Sequence, residues 1–375
     1  MNTSPSHPRL SRRGFLKLLA AGSVTVAGGY LLWEYAPWLS YDQQVDLTQR
    51  PLDKSLPMSN QLRQIVRYAT LAANGHNTQP WKFAIRESGI EIYPDYSRRL
   101  AAVDPNDREL WISLGCALEN LLLAARAAGY APEVTYPGST DVIRVQLTSD
   151  TPHVSPLFEA IPLRQNVRSE YDGHAVKSSD LDQMQTISLE PSVSLRFATN
   201  PTDLALTLDY VQQGNLKQYA DRAFRDELIQ WLRFTKKEAL ASLDGLYTRC
   251  SGNPEIPRWL GQMFVSGTQP QQQADIDAKK LRSSAGAVVV VSQSDDKDAW
   301  VRVGQVYERL ALTFTTLNIK SAFLNQPVEV TDVREQFKSA LGLGAAWPQL
   351  LLRYGYAAVM PRSLRRPIDQ VLLTA

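Results

Sequence analysis

Cysteine is almost missing from this chain: only Cys116 and Cys250 occur, and neither belongs to a C-x-x-C pair. A disulfide framework and a thiolate metal cage are thereby excluded, while a single bridge is left open by spacing alone. The four histidines, His7, His76, His153 and His174, form no H-x-x-x-H or H-E-x-x-H pair, so no metal site is expected. No G-x-G-x-x-G follows an apolar strand, and no G-x-x-x-x-G-K-[ST] occurs. A Rossmann dinucleotide domain and a P-loop therefore lose their main support. Charge of one sign is lacking too. Lys plus Arg number 40 against 38 Asp plus Glu, and a formal charge of +2 gives no electrostatic reason to expect nucleic acid. What remains is globular material: 375 residues, 44% hydrophobic and 21% charged, enough for one large domain or two fused ones.

Residues 1–40 read as an address rather than as fold. Ser11-Arg12-Arg13-Gly14-Phe15-Leu16-Lys17 precedes an apolar, Gly/Ala-rich run from Leu18 to Trp33. The paired arginines with Phe and Leu behind them closely match a twin-arginine signal, which an export receptor reads. The expected partner is the twin-arginine export machinery, which carries proteins already folded. The expected location is the periplasm or the outer face of the cytoplasmic membrane. No clean A-x-A site precedes Trp38, so the run is also a candidate for an uncleaved membrane anchor.

Residues 41–59 are polar and Pro-containing and read as a linker. A first half, 60–155, opens with a helix over Asn60–Ala73 whose Leu62, Ile65, Val66 and Ala69 share a face. Trp81–Ile85 and Ile90–Tyr93 read as a hairpin. Asp104-Pro105 opens a long helix with the stripe Leu110, Trp111, Leu114, Leu118, Leu121, Leu122 and Ala125, ended by Gly129. Strand-like Val142–Leu147 closes this half. The second half, 156–375, holds a helix around Asp226–Leu246, a strand Ala287–Ser292, a helix Ala299–Leu317 and a strand Leu350–Tyr356. Short strands between long helices predict an α+β layered fold.

An internal echo points to two related halves. Trp111-x-x-x-Gly115-x-x-x-Glu119-x-Leu121 recurs as Trp300-x-x-x-Gly304-x-x-x-Glu308-x-Leu310, at one constant offset. A shared helix-packing pattern would give the same residues, Gly for close approach and Trp to fill a groove.

The run Asn74-Gly75-His76-Asn77-Thr78-Gln79-Pro80-Trp81-Lys82-Phe83 resembles the N-x-Q-P-W-x-F signature of nitroreductase-family flavoproteins. H-N-T-Q-P-W resembles more narrowly the single-chain, Acg-type subfamily, in which two nitroreductase-like halves form an internal pseudo-dimer. Glu227-Leu228-x-x-Trp231-x-Arg233-Phe234, Asp244-Gly245-Leu246, Asn325-Gln326-Pro327-x-Glu329, Pro348-Gln349-x-x-x-Arg353-x-Gly355 and Arg365-Arg366-Pro367 follow in family order. The resemblance spans roughly residues 60 to 370.

It implies a nitroreductase-like fold, a monomer with an internal pseudo-dimer, and bound FMN. A flavin phosphate calls for arginine, which forks onto it and keeps its charge at any pH. Arg164-x-x-x-Arg168 and Arg365-Arg366 stand where the family brings its basic contacts. Asn74, His76, Asn77 and Gln79, with Asn325 and Gln326, are the counterparts of its flavin-edge residues. Many relatives carry Ser at the position of Asn74 and Arg-Arg where Leu163-Arg164 stands. One flavin per chain is expected, held between the halves, with the pseudo-equivalent site degenerate. The flavin would carry the chemistry, so no catalytic residue is assigned. The expected activity is flavin-dependent reduction of a small nitro- or quinone-type electron acceptor. The alternatives are an FMN-sequestering protein with its site closed, and a membrane-tethered interaction protein whose flavin site is dead. Residues 251–275, rich in Gly, Pro and Gln, are the candidate lid.

Overall fold

The computed structural model describes residues 38–53 and 55–373; Arg12-Arg13 and the apolar run behind them lie outside the described residues. The first half carries helices α1 (Trp38–Thr48) and α2 (Met58–Ala69), strands β1 (Trp81–Arg86) and β2 (Gly89–Pro94), helix α3 (Arg108–Ala128), and strands β3 (Tyr130–Thr135) and β4 (Ile143–Ser149). Its antiparallel sheet runs β1-β2-β4-β3. In β4 the buried Ile143, Val145 and Leu147 alternate with exposed Arg144, Gln146 and Thr148, as a sheet with one solvated face requires.

The second half carries β5 (Val193–Ala198), α4 (Pro201–Ala220), α5 (Arg222–Trp231), α6 (Lys236–Ser242), α7 (Arg258–Ser266), α8 (Pro270–Arg282), β6 (Gly286–Ser292), α9 (Lys297–Thr316), β7 (Lys320–Phe323), α10 (Thr331–Ala340) and β8 (Trp347–Gly355). Its sheet runs β5-β6-β8-β7 and is antiparallel throughout. Every residue of β6 is buried. Val288 and Val290 face the core around α9, and Val289 and Val291 pack with Val211 and Leu281 on the other side. That two-sided cover explains the unbroken apolar run.

The sequence echo is the contact between the halves. Helices α3 and α9 lie against each other, and a Cβ on Gly115 would fall 2.0 Å from the carbonyl oxygen of Val301. A Cβ on Gly304 would fall 2.0 Å from that of Ile112. The two contacts are reciprocal under the offset that relates the halves, as a pseudo-two-fold axis demands. Only glycine permits that approach. The fold is thus α+β, two sheets with a long helix on each and the helices packed together. Helix α3 is apolar and long enough to cross a membrane, but it is the core helix of the first half, with 94% of its apolar window buried.

The C-terminal segment leaves the second half and returns to the first. Leu372 pairs with Phe83 in parallel, and the Leu373 amide donates to the Phe83 carbonyl (2.8 Å), covering the free edge of β1.

Three sequence expectations need correction. The stretch 41–59 is no simple linker: α1 occupies its first part, and Tyr41, only 4% exposed, packs with Ala239, Tyr247, Cys250 and Leu364. Tyr41 and Val45 alone turn inward on a helix that also carries Asp42, Gln43, Gln44 and Asp46, too weak a periodic signal. The helix expected over Asp226–Leu246 breaks at Leu232-Arg233, which pairs with Leu246-Tyr247 in a small parallel sheet. Helix α3 starts at Arg108, not beside Asp104, whose carboxylate instead accepts from the Leu110 amide (2.9 Å).

Candidate functional site

The loop after α2 is built on backbone that ordinary residues avoid. His76, Asn77 and Gln79 have φ of 47°, 54° and 53°, left-handed values that cost non-glycine residues energy. The surrounding side chains hold it there. Asn74 accepts from the Gln79 amide (2.8 Å) through Oδ1. Asn77 donates from Nδ2 to the carbonyls of Gly245 (3.0 Å) and Leu364 (3.2 Å), and its Oδ1 accepts from Arg365 (2.9 Å). Gln79 is fully buried: Nε2 donates to the Leu243 carbonyl (2.9 Å) and Oε1 accepts from the Arg366 amide (2.8 Å). Arg365 donates to the carbonyls of Thr70, Leu71 and Ala72 at the end of α2, and Arg366 to that of Gln79. The amides and the C-terminal arginine pair are therefore spent on protein backbone.

What they shape is a cleft between the halves. Leu71, Ala73, Asn74 and Asn77 form one wall, and Arg164, Gln165, Asn166 and Arg168 another. Leu246 and Cys250, then Arg362, Ser363 and Arg365, and the Thr48-Gln49 end of α1 complete it. Among the described residues, no aspartate or glutamate lines it.

Its four arginines differ in what neutralises them. Arg164 is buried in an ion pair with Glu308 (3.0 Å) and donates to the Leu71 carbonyl (3.1 Å); Glu308 also accepts from the Ala73 amide (3.2 Å). Arg365 meets only neutral acceptors, and burial, then the charge of Arg164, pushes its pKa down to about 10. Arg362 donates to the Pro162 carbonyl, and burial followed by Arg164 lowers its pKa as well. Arg168 has neither hydrogen-bond nor ion-pair partner among the described residues, and burial lowers its pKa. One carboxylate thus serves a wall of four guanidinium groups. Uncompensated buried cations are costly, and an anion is what relieves them. His76 adds no charge: burial first and Arg168 second push it down to about 4, and its Nδ1 has no hydrogen-bond partner among the described residues.

Of the residues expected at the site, the structure brings Asn74, Asn77, Arg164, Arg168 and Arg365 onto the cleft. His76 stands behind it near Arg168, and Gln79 and Arg366 brace the loop from outside the lining. Asn325 and Gln326 depart from the expectation. Asn325 donates to Glu109 (3.0 Å) and accepts from the Leu351 amide (2.9 Å), and Gln326 donates to Asp277 (3.0 Å). Buried carboxylates claim both amides in a separate polar network, so neither reaches the cleft. Residues 251–275 do not line it either; α1 supplies the wall expected of a lid.

Arg362, Asn166, Thr48 and Gln49 were missed. Asn166 was legible: Arg164, Asn166 and Arg168 alternate along an extended segment in which Asn166 pairs with Ser321. Its Oδ1 accepts from the Tyr307 hydroxyl (3.1 Å). Arg362 carried a signal in its spacing ahead of Arg365-Arg366. Thr48 and Gln49 carried none. Cys116 lies at the helix crossing and Cys250 in the cleft wall, both as buried free thiols.

FMN suits this donor set. Its phosphate would meet Arg168 and Arg362, which lack anionic partners, and its hydroxylated chain would meet Asn166 between them.

No family profile matches the chain. It is 26% identical over 336 residues to Rv3131 of Mycobacterium tuberculosis, across 86% of this chain and 93% of that protein. It is 23% identical over 329 residues to acg of the same organism, across 83% of this chain and 94% of the relative. Both are provisionally named NAD(P)H nitroreductases. Among solved structures, the FMN-dependent nitroreductase NfnB of Mycobacterium smegmatis, in complex with NADPH, aligns at a TM-score of 0.37 and 12% identity. That alignment covers 59% of this chain and 98% of that one.

Proposed function

We propose that the protein is an FMN-dependent oxidoreductase of the nitroreductase type that acts on small nitro- or quinone-like acceptors after twin-arginine export. The observation that carries the reading is Arg168, a largely buried cation without a partner on a cleft wall without carboxylates. Similarity to provisionally named NAD(P)H nitroreductases across most of the chain supports the choice of flavin over another anion.

When bound, FMN supplies hydride transfer to the acceptor. The chain's own residues bind, orient and exclude. Arg168 and Arg362 would hold the phosphate, while Arg164 stays locked to Glu308 and props the wall. Asn74 and Asn77 keep the strained loop in place, so that its backbone would offer the flavin ring a fixed edge. His76 stays neutral at physiological pH and adds no charge to the wall.

A second reading, a protein that holds flavin and admits no bulky acceptor, is favoured by α1. Tyr41 donates to the Arg362 carbonyl (2.6 Å) and Arg67 to that of Thr48 (2.7 Å), which straps the helix across the cleft. The test is the purified, exported protein. A yellow flavin spectrum with turnover of a quinone or nitroaromatic supports the enzyme. Flavin that reoxidises with oxygen but not with those acceptors supports the strapped reading. Colourless protein that refuses added FMN refutes both.

A further inference from the structure

Helix α7 presents its apolar residues the wrong way for a protein surface. Leu260 and Gly261 face inward, where a Cβ on Gly261 would meet the Phe234 ring at 2.2 Å. Trp259 and Met263, one helical turn apart on the outer face, are 66% and 55% exposed. Beside them lies a shallow depression lined by Thr235, Lys237, Ala241 and Pro257. The acids nearby are engaged within the fold: Glu238 holds Arg258 (3.1 Å) and the Phe234 amide, and Glu255 holds the Tyr247 hydroxyl and the Lys236 amide.

The position of this patch matters more than its size. The chain enters the described fold at Trp38, at the start of α1. One turn on, Tyr41 packs against Ala239, and the ammonium of Lys236 lies 5.6 Å from the centre of its ring. Lys236 and Ala239 belong to α6, which supplies Lys237 and Ala241 to the depression beside Trp259. Helix α6 thus has α1 on one face and the depression beside Trp259 on another, and in sequence the apolar run Leu18–Trp33 ends five residues before the described fold begins.

From this juxtaposition we propose that the outer face of α7, with Trp259 and Met263, rests on the lipid bilayer that the N-terminal run enters. The inference rests on the reading of that run as a retained membrane anchor. An indole and a thioether beside lysines suit the boundary between headgroups and acyl chains. A tether emerging nearby holds the patch at that boundary at high effective concentration, so a small apolar area suffices. Helix α1 is 11 residues long, so the cleft end at Thr48 stands about 16 Å from the tethered end.

The test uses the full-length protein in vesicles of phosphatidylethanolamine and phosphatidylglycerol. A single added cysteine, Met263→Cys, carries an environment-sensitive fluorophore, the native thiols being buried. Leu189→Cys, 41% exposed beside Glu190, which Arg309 of α9 holds, is the control. The expected result is vesicle flotation, with quenching by spin-labelled lipid at least threefold stronger at position 263 than at 189. Flotation with equal quenching leaves the anchor standing and overturns the surface. Failure to float removes the anchor, and the surface with it. A position-263 probe shielded without vesicles, in a protein that sediments as a dimer, overturns the lipid in favour of a second copy.

Discussion

Arg168 separates binding from folding, because it has nothing to lose inside the protein. Replacing it with alanine removes no hydrogen bond or ion pair to any described residue. The deflavinated Arg168→Ala protein should therefore fold as well as the parent, or better, since a poorly solvated cation is gone. For a chain of this size a gain of about 1 kcal/mol would raise the melting temperature by about 1–2 °C. Flavin binding should move the other way. A hydrogen bond to a charged group contributes about 1.5–3 kcal/mol, so FMN should bind roughly 10- to 150-fold more weakly. Fluorescence titration of deflavinated protein reads the affinity, and melting of the same samples reads the fold. Arg365→Ala is the contrast: its guanidinium caps α2 and holds Asn77, so that variant should lose stability and flavin together. An Arg168→Ala protein that binds FMN as tightly as the parent would remove the phosphate from this wall. One that loses both properties would show that Arg168 has a partner within the fold.

Further expectations follow from the crossing, the buried histidine and the leader. Gly115→Ala or Gly304→Ala puts a methyl group 2.0 Å from a carbonyl of the facing helix, forcing the helices apart. Each should cost about 3 kcal/mol or more in denaturant unfolding, and a melt like the parent's would refute the crossing. His76 is lowered from 6.5 to about 4, so the stability it contributes is present above pH 6.5 and is lost as pH falls toward 4. In Arg168→Ala the repulsion is gone and the His76 pKa should rise, as imidazole NMR titration would detect; an unmoved value would separate the two residues. Arg12-Arg13→Lys-Lys should leave the protein in the cytoplasm, and normal export of that variant would discredit the address.

How much was legible depended on whether a residue's role is periodic or positional. Apolar periodicity marked the core of α3 and α9, and alternation marked the β1-β2 hairpin. The glycine echo was legible because close approach admits one residue type. Roles within the site were harder. Asn77, Gln79, Arg365 and Arg366 are polar residues whose acceptors are carbonyls far away in sequence, and their types alone fit ligand contact equally well. Arg168 differs from Arg365 only in lacking such acceptors, which no sequence pattern records.

The pseudo-two-fold axis sharpens the choice of site, because it supplies an internal control. Glu119 and Glu308 are counterparts under the echo, and each meets an arginine. At Glu119 that arginine is Arg309, which also bonds Glu190 and the Ser188 carbonyl, with Arg302 over the Tyr136 ring beside them, so two acids meet two arginines. At Glu308 it is Arg164, with Arg168, Arg362 and Arg365 on the same cleft wall and no second acid in it. Related backbones thus carry different charge balances. An anionic cofactor is attracted to the position with surplus arginine, while the other has its arginine already paired with acids, so the expected stoichiometry is a single FMN per chain. Quantitative flavin release against protein concentration measures it directly. A ratio near two would mean that the Arg309 cluster opens to admit an anion, and the electrostatic argument for the Arg168 cleft would fall with it.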